Sequence, residues 1–363
     1  MARSELMDVA LHTVRDHGFH ALRVGRVVRE TEEAASFVLE VPDELSDRFA
    51  YRAGQFCNFR IEVGGESHMR CYSMSSSPAV DTELQVTVKR VPGGVVSNWF
   101  VDHLAPGDLV EVSPPTGFFQ LTPVNGDVVA FAAGSGITPV ISLLKTVLAT
   151  TTRRARLLYA NRDRQSVIFA AELEAMAADH PDRFQVVHHL DVERGFVGDE
   201  TVTALAHPSK GSSDAEADRA EFYVCGPEPF MDRVERALVA SGVEAARVHI
   251  ERFTGTGGPT ADPPAAPEQG AEVTVELGGR TGTTEHRPGT TILQTARQLG
   301  LNPPSSCEAG NCATCMAKVV EGAVSMQVNN ALTKEEVDEG WVLTCQGVPA
   351  SETVRVVYDF EEG

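Results

Sequence analysis

The sequence predicts a multidomain protein: an antiparallel β-barrel, then an α/β domain with a parallel sheet, then a small cysteine-bearing domain. Three observations support this prediction. Residues 21–123 contain short β-patterned runs, residues 124–253 alternate apolar strands with helices, and residues 271–363 carry four of the seven cysteines. A chain of 363 residues also exceeds what one hydrophobic core usually serves.

Composition indicates a soluble globular protein, with 42% hydrophobic and 23% charged residues. No apolar run approaches the ~18 residues of a membrane span, and residues 1–20 lack the apolar core of a secretion signal. We therefore expect a cytoplasmic protein without a membrane partner. In that reducing compartment clustered cysteines favour metal binding or catalysis over disulfides. The formal net charge of −20 argues against a nucleic-acid partner, because phosphates would be repelled.

The first domain is predicted from five β-patterned runs that Gly, Pro and Asp residues separate. The runs are "LRVGRVV", "SFVLEV", "GQFCNFRI", "ELQVTVK" and "LVEVS". Short strands at this spacing are typical of an antiparallel barrel or sandwich.

The second domain shows the alternation of a βαβ fold. Its apolar runs are "DVVAFAA", "ARLLYAN", "FQVVHHL" and "EFYVCG", with helices predicted near 139–150, 168–179 and 228–240. This order implies a parallel sheet. We interpret His188 and His189, inside the third run, as sheet residues. A stretch rich in Pro, Gly and Ala follows at 254–270, "TGTGGPTADPPAAPEQG", and predicts a flexible linker.

The third domain contains the most specific motif. Cys307, Cys312 and Cys315 follow a C-x4-C-x2-C pattern, and Cys345 comes later in the chain. This is the plant-type [2Fe–2S] ligand spacing. Zinc ribbons usually pair two C-x2-C units, and inert buried thiols would not require the spacing, so both alternatives fit less well. Small residues between the ligands would let backbone N–H groups reach the sulfides of a cluster.

The rest of residues 271–363 predicts a hairpin, a helix, the cysteine loop, a strand and a final helix. That last helix opens at a capping box of Thr333 and Glu336. On these motifs the segment resembles the plant-type ferredoxin domain, a β-grasp fold. The resemblance implies that the four cysteines bind the cluster.

A second motif, "RCYSMSSSP", lies in the barrel and contains Arg70, Tyr72, Ser73 and Ser76. Alternate side chains of an extended strand share a face, so Arg70 and Tyr72 should point the same way. A guanidinium can bind a phosphate with two hydrogen bonds, and a phenol can cover an aromatic ring or a ribityl chain.

A third motif, "GGVVSNWF", places Gly94 before Ser97, which we expect to be a helix N-cap. Free N–H groups at such a helix start attract a phosphate. Together and in this order, the two barrel motifs resemble the flavin-binding domain of the ferredoxin–NADP⁺ reductase superfamily. The resemblance implies that this domain binds FAD.

The parallel-sheet domain carries a glycine turn, "GSGITP", between a strand and a helix. Gly134 and Gly136 would let the backbone approach a pyrophosphate at the helix N-terminus. Pro139 replaces the third glycine of the full dinucleotide fingerprint, as in the same reductase superfamily. The resemblance implies that Thr138 lies near the nicotinamide.

A second turn of this domain, "CGPEP", follows the strand "EFYVC". In the superfamily a cysteine here lies beside the hydride-donating carbon, so the resemblance gives that role to Cys225, with Gly226 and Pro227 as further binding residues. The alternative for Cys225 is a small buried core residue.

Two features depart from the plant reductases. Val96 stands where they carry a cysteine, and the chain continues after "HIERF" instead of ending on an aromatic residue that covers the flavin. We expect Phe253 to be that cover; the alternative is an ordinary strand-end core residue. Coenzyme choice stays open, because Arg162 and Arg164 could hold a 2′-phosphate whereas Asp163 between them could face a free 2′-hydroxyl. The alternative is that both arginines are ordinary surface residues.

The order of the three domains resembles the reductase components of multicomponent oxygenases, of the types that serve phenylacetyl-CoA epoxidase and 3-ketosteroid 9α-hydroxylase. This resemblance implies electron transfer from NADH or NADPH through FAD and a [2Fe–2S] cluster to a partner oxygenase or hydroxylase. A second hypothesis is a non-catalytic iron–sulfur redox sensor or electron carrier with a degenerate reductase scaffold. A third, release of free reduced flavin, leaves the ferredoxin domain without a purpose.

An acidic run lies on the last predicted helix: Glu335, Glu336, Asp338 and Glu339. Residues 271–363 hold 13 acidic and 6 basic side chains. The run is either a solvated face or a docking patch for a basic surface of the oxygenase.

Overall fold

The computed structural model describes residues 19–207, 220–253, 270–305, 308, 310, 313–329 and 331–358. Residues 1–20, which the sequence places before the first domain as an N-terminal extension, lie outside the described residues apart from Phe19 and His20. So does the expected linker at 254–270, apart from Gly270. None of the helices within the described ranges is long and apolar enough to cross a membrane.

The first domain is a six-stranded antiparallel barrel, as expected. Its sheet order is β4-β3-β6-β1-β2-β5. The two edge strands meet through a bridge between Met74 and Val86, which closes the barrel. The strands are β1 (His20–Thr31), β2 (Ala34–Glu40), β3 (Phe56–Val63), β4 (Glu66–Ser73), β5 (Leu84–Lys89) and β6 (Leu109–Val112).

Helix α1 (Val95–His103) packs against strands β3 and β5 of this barrel. Phe100 is fully buried, and its ring packs edge-on against Phe37 at 5.4 Å and Phe59 at 5.7 Å between ring centroids. This aromatic cluster fixes α1 on the barrel, since edge-to-face rings add to the free energy of apolar burial.

The second domain is a parallel sheet with the order β11-β10-β7-β8-β9. Its strands are β7 (Val128–Ala133), β8 (Ala155–Asn161), β9 (Phe184–Leu190), β10 (Glu221–Cys225) and β11 (Val248–Glu251). Its helices are α2 (Ile137–Thr150), α3 (Ala170–Asp179), α4 (Asp191–Arg194), α5 (Asp199–Ala206) and α6 (Glu228–Ala240). His188 and His189 lie within β9, as interpreted from the sequence.

Helices cover both faces of this sheet. Alternate residues of β7 enter two separate cores: Ala130 and Ala132 pack with α2, whereas Val129 and Phe131 pack with α5 and α6. Burial on both faces explains why the strand reads as a continuous apolar run. The carboxyl ends of the strands share one edge, where ligands of open α/β sheets bind.

The third domain has a five-stranded mixed sheet with the order β13-β12-β18-β14-β16, crossed by helix α7 (Ile292–Gln298). The strands are β12 (Glu272–Leu277), β13 (Arg280–Glu285), β14 (Met316–Glu321), β16 (Trp341–Leu343) and β18 (Thr353–Val357). Strands β15 (Val324–Met326) and β17 (Gly347–Pro349) form a separate pair. Helix α8 (Lys334–Asp338) begins at the expected capping box, with Thr333 Oγ1 accepting from Glu336 N at 3.2 Å.

Polar contacts join the first two domains. Ser142 on α2 donates to the carbonyl of Ser76 at 2.6 Å, and Lys145 Nζ pairs with Asp81 at 2.6 Å and with Glu172 at 2.8 Å. Burial lowers the pKa of Lys145, but its two carboxylate partners outweigh that effect and raise the pKa overall. The ammonium therefore stays charged and holds the barrel against α2 and α3.

A cavity of about 610 Å³ lies where all three domains meet. Its lining comes from the segment after the last barrel strand, from strand β11, and from the start of α8 with the loop before it: Phe118, Phe119, His249, Ile250, Glu251, Asn329, Leu332, Thr333 and Lys334. Since none of the site residues expected from the sequence lines it, we treat the cavity as a junction between domains.

Candidate redox-cofactor sites

Strand β4 carries the first half of the flavin motif. Arg70 is exposed, and its Nη1 donates to the neighbouring Met69 carbonyl at 2.6 Å. Tyr72 lies half-buried, with its ring 5.2 Å from that of Phe100 and 5.4 Å from that of Phe59. Burial raises the pKa of Tyr72, so its phenol stays neutral. The strand thus offers a solvent-facing cation beside a fixed aromatic ring.

The two serines of the same motif differ in their surroundings. Ser73 is buried, and its Oγ has no hydrogen-bond partner among the described residues. Ser76 Oγ accepts from Gln85 N at 2.9 Å and contacts the Tyr51 hydroxyl at 2.6 Å. An orphaned buried hydroxyl fits a bound cofactor that supplies its partner. Ser76, by contrast, is held by the protein's own structure.

The start of helix α1 corrects one expectation. The N-cap is Gly94, and Ser97 lies in the first turn, where its Oγ accepts from Val91 N at 3.1 Å. The chain turns at Gly93, whose φ of +70° suits glycine, so the helix begins before Ser97 can cap it. No acidic side chain occupies the first turn. The N–H groups of this helix start therefore fit a phosphate.

The glycine turn after β7 approaches β10 closely. A Cβ on Gly136 would lie 2.2 Å from the Cys225 carbonyl oxygen, so only glycine fits there. Gly134 has a φ of +54°, and its carbonyl accepts from Tyr159 Oη at 3.0 Å. The turn is a tight cradle at the start of α2, as a pyrophosphate site requires.

Thr138 and Cys225 lie at this same edge of the sheet. Thr138 is buried in the first turn of α2, and its Oγ1 donates to the Ser135 carbonyl at 3.0 Å. Cys225 ends β10 and is fully buried. Burial, reinforced by the charge of Glu251, raises the pKa of the Cys225 thiol well above its usual value. Cys225 thus carries a neutral thiol that belongs to the core of the domain.

The turn after Cys225 is equally close-packed. A Cβ on Gly226 would lie 2.9 Å from the Phe230 ring and 3.0 Å from the Ala133 side chain. Pro227 is the N-cap residue of α6. Two helix starts, those of α2 and α6, therefore flank the Gly136–Cys225 contact.

Beyond β8 lie the residues expected to read the coenzyme's ribose. Arg162 is exposed and its Nε donates to Asp163 Oδ2 at 2.9 Å, while Asp163 Oδ1 accepts from Ser166 N at 2.9 Å. The hydrogen bond from Arg162 lowers the pKa of Asp163, which stays ionised. Asp163 is therefore engaged on both oxygens.

Two residues at this edge were not expected from the sequence. Asn161 ends β8 with only 4% of its surface exposed, and neither amide atom has a hydrogen-bond partner among the described residues. Glu251 ends β11 and pairs in register with Cys225. For Asn161 the available signal was its position at the carboxyl end of a predicted parallel strand. Strand β11 was not among the predicted runs, so Glu251 carried no such signal.

The cysteine site is described in part. Cys307 and Cys312 lie outside the described residues, whereas Cys315 and Cys345 are both buried. Cys345 N lies 3.5 Å from Cys315 Sγ, and Thr344 Oγ1 donates to the Cys315 carbonyl at 2.7 Å. These contacts bring together two cysteines that are 30 positions apart in sequence.

The backbone before Cys315 turns repeatedly. Glu308, Gly310 and Ala313 have φ values of +51°, +77° and +55°. Left-handed residues aim backbone N–H groups into a concavity that suits an anionic ligand. This curvature and two neighbouring buried thiols fit the resident cluster that the spacing predicts.

Phe253 follows β11 and is 43% exposed. An exposed ring does not match the alternative of an ordinary core residue. Its role as a flavin cover stays a prediction.

Comparisons with known proteins agree with all three domains. Family models match residues 22–121 (oxidoreductase FAD-binding domain), 131–236 (oxidoreductase NAD-binding domain) and 275–350 (2Fe-2S iron-sulfur cluster binding domain). They confirm the expected flavin, nicotinamide and ferredoxin domains and their cofactors.

Relatives match over nearly the whole chain. The chain is 40% identical over 347 residues to the ferredoxin reductase component of 3-ketosteroid-9-alpha-monooxygenase from Rhodococcus rhodochrous, covering 93% of this chain and 96% of the relative. It is 32% identical over 353 residues to one of the subunits of 1,2-phenylacetyl-CoA epoxidase from Escherichia coli (strain K12), covering 94% and 98%. Among solved structures, phthalate dioxygenase reductase matches with 25% identity and a TM-score of 0.57, covering 94% and 98%.

The fold and the three sites define an oxidoreductase with FAD-binding, NAD-binding and [2Fe–2S] domains in series. The chain belongs to the family of reductase components of oxygenase systems.

Proposed function

We propose that this protein passes electrons from NADH or NADPH through FAD and a [2Fe–2S] cluster to a partner oxygenase or hydroxylase. The observation that carries the proposal is the similarity to oxygenase reductase components across all three domains, at 40% identity over 93% of the chain. When bound, FAD takes two electrons from the nicotinamide and releases them singly, as a two-iron cluster requires.

The barrel residues bind and orient the flavin in this proposal. Arg70 and the N–H groups in the first turn of α1, between the Gly94 N-cap and Ser97, hold its phosphates. The neutral phenol of Tyr72 covers it, Ser73 Oγ hydrogen-bonds to it, and Phe253 shields its other side. Ser76 acts indirectly. Its carbonyl accepts a hydrogen bond from Ser142 Oγ, and this bond aligns the barrel with α2.

The parallel-sheet residues bind the nicotinamide coenzyme. Gly134 and Gly136 let its pyrophosphate approach the start of α2. Gly226 and Pro227 form the second helix start, that of α6. Thr138 and the neutral Cys225 shape the nicotinamide site without acting as acid, base or nucleophile. Arg162 lies where the ribose that distinguishes NADPH from NADH would bind. Because Arg162 pairs with Asp163, the site contains a group suited to either coenzyme, and both must be tested.

The four cysteines bind the cluster, with Cys307 and Cys312 completing the pair formed by Cys315 and Cys345. The domain limits we propose are 21–123, 124–253 and 271–363, joined by the linker at 254–270. A cytoplasmic location, inferred from composition, is part of the same proposal.

An anaerobic titration tests the proposal. With NADH or NADPH as the sole reductant, both the flavin band and the broader cluster absorption should bleach, and the reduced cluster should give an electron paramagnetic resonance signal. The preferred coenzyme is the one that bleaches the flavin faster. Cluster absorption without a flavin band would instead support the sensor or carrier hypothesis.

A further inference from the structure

The side-chain carbonyl oxygen of Asn58 joins strand β4, which carries the flavin motif and is called the flavin strand, to the cysteine loop that ends at Cys315. Asn58 on β3 is 6% exposed, and its Oδ1 accepts from Thr314 Oγ1 at 2.8 Å and from Cys71 Sγ at 3.1 Å. Cys71 lies between Arg70 and Tyr72, and Thr314 immediately precedes Cys315. The Asn58 amide therefore links the flavin motif to the cluster motif across two domains.

The orientation of this amide is determined by its neighbours. Ser113 Oγ donates to the Pro114 carbonyl at 3.0 Å, so toward Asn58 it can only accept. It accepts from Asn58 N at 3.0 Å and from Asn58 Nδ2 at 3.3 Å. With Nδ2 directed at Ser113, Oδ1 faces two donors: the Cys71 thiol on the neighbouring strand β4 and the Thr314 hydroxyl of the ferredoxin domain.

We propose that Asn58 is a positioning residue that docks the cysteine loop of the ferredoxin domain onto the flavin strand, with the Thr314 hydroxyl as its contact. This inference rests on the proposed electron route. Electron transfer between two centres falls steeply with their separation, so a contact that holds the two motifs together sets the rate of the internal step. In this contact Thr314 contributes the donor hydroxyl. Asn58 contributes a carbonyl oxygen whose direction is fixed by the hydrogen bond of its Nδ2 to Ser113.

A matched pair of variants in the full-length holoprotein tests the contact. Thr314→Val removes the hydroxyl at nearly constant volume, whereas Thr314→Ser keeps it. Loss of this partly buried hydrogen bond should raise amide hydrogen exchange at residues 56–60 by about two- to tenfold in Thr314→Val, and Thr314→Ser should restore protection. With the preferred coenzyme as reductant, cytochrome c reduction should fall in Thr314→Val while ferricyanide reduction stays at the parent rate.

Asn58→Ala removes the acceptor on the barrel side of the contact and leaves the sequence of the cysteine loop unchanged. It should raise exchange at residues 313–319, with iron content equal to the parent. Cys71→Ala removes the other donor to the same oxygen and should leave exchange at 313–319 unaltered.

Unchanged exchange in both Thr314→Val and Asn58→Ala would overturn the inference. Amide hydrogen exchange at residues 56–60 that is as fast in Thr314→Ser as in Thr314→Val would also overturn it, because the hydroxyl would then make no contribution. Failure of the parent protein to reduce cytochrome c with either coenzyme would instead refute the electron route, while the exchange data would still report on the contact.

Discussion

Gly136 and the carbonyl of Cys225 meet so closely that a Cβ on Gly136 would lie 2.2 Å from the carbonyl oxygen. The oxygen belongs to backbone at the end of β10 and cannot move aside as a flexible side chain could. The glycine turn and the Cys225 turn, which are 89 residues apart in sequence, therefore form one packed unit at the coenzyme edge.

Gly136→Ala should separate these two turns. We expect a loss of about 1–3 kcal/mol in the free energy of unfolding, as for other overpacked sites, and a raised KM for the nicotinamide coenzyme. Gly198→Ala is the control, because a Cβ on Gly198 meets no atom within 4 Å. Equal stability and equal KM in the two variants would show that the Gly136 and Cys225 turns can move apart without cost.

Arg70→Ala should release FAD. The charge-assisted phosphate contact is worth roughly 1.5–3 kcal/mol, so the dissociation constant for FAD should rise about ten- to a hundredfold. Arg26→Ala serves as the control, since it removes an exposed barrel arginine that pairs with Glu83. Full flavin occupancy of the Arg70→Ala protein at low micromolar concentration would refute the assignment.

Lys145→Met should loosen the junction between the barrel and α2. The variant leaves Asp81 and Glu172 facing each other without their shared cation, and we expect a loss of about 1–3 kcal/mol of stability in chemical denaturation. Lys334→Met is the matched control: its 3.7 Å pair with Asp338 is well exposed and should contribute under about 1 kcal/mol. Similar midpoints for the two variants would argue against the interdomain role.

The acidic helix α8 should attract a basic surface of the oxygenase. Because salt screens this attraction, electron delivery to the oxygenase should slow as ionic strength rises. Glu335 and Glu339 are the residues to reverse to lysine, because both are exposed. Glu336 is unsuitable, since its Oε2 accepts from Thr333 N at 2.7 Å and so caps the helix. A flat salt response, unaltered by Glu335→Lys and Glu339→Lys together, would mean that the helix only solubilises the domain.

Local patterns were enough to predict the domains and most helices. The alternation of apolar runs indicated both sheets, and the Thr333 capping box marked the start of α8 correctly. The Ser97 N-cap was wrong because the turn at Gly93, which the sequence also contains, starts the helix earlier.

Contacts between distant segments could not be predicted. Nothing near Asn58 in the sequence indicates that it meets Thr314, 256 residues later. Likewise the polar link between Ser76 and Ser142 depends on how two domains pack. Such pairs follow from the fold, and no local periodicity encodes them.

The central claim is the route of electrons through the cluster, and Cys345→Ser tests it most directly. Cys345 lies beside Cys315, and its loss should remove the cluster absorption. The variant should then reduce ferricyanide with NADH or NADPH at nearly the parent rate, because the flavin and nicotinamide domains keep their own cores, while cytochrome c reduction falls to background. Undiminished cytochrome c reduction by a cluster-free Cys345→Ser protein would contradict the account.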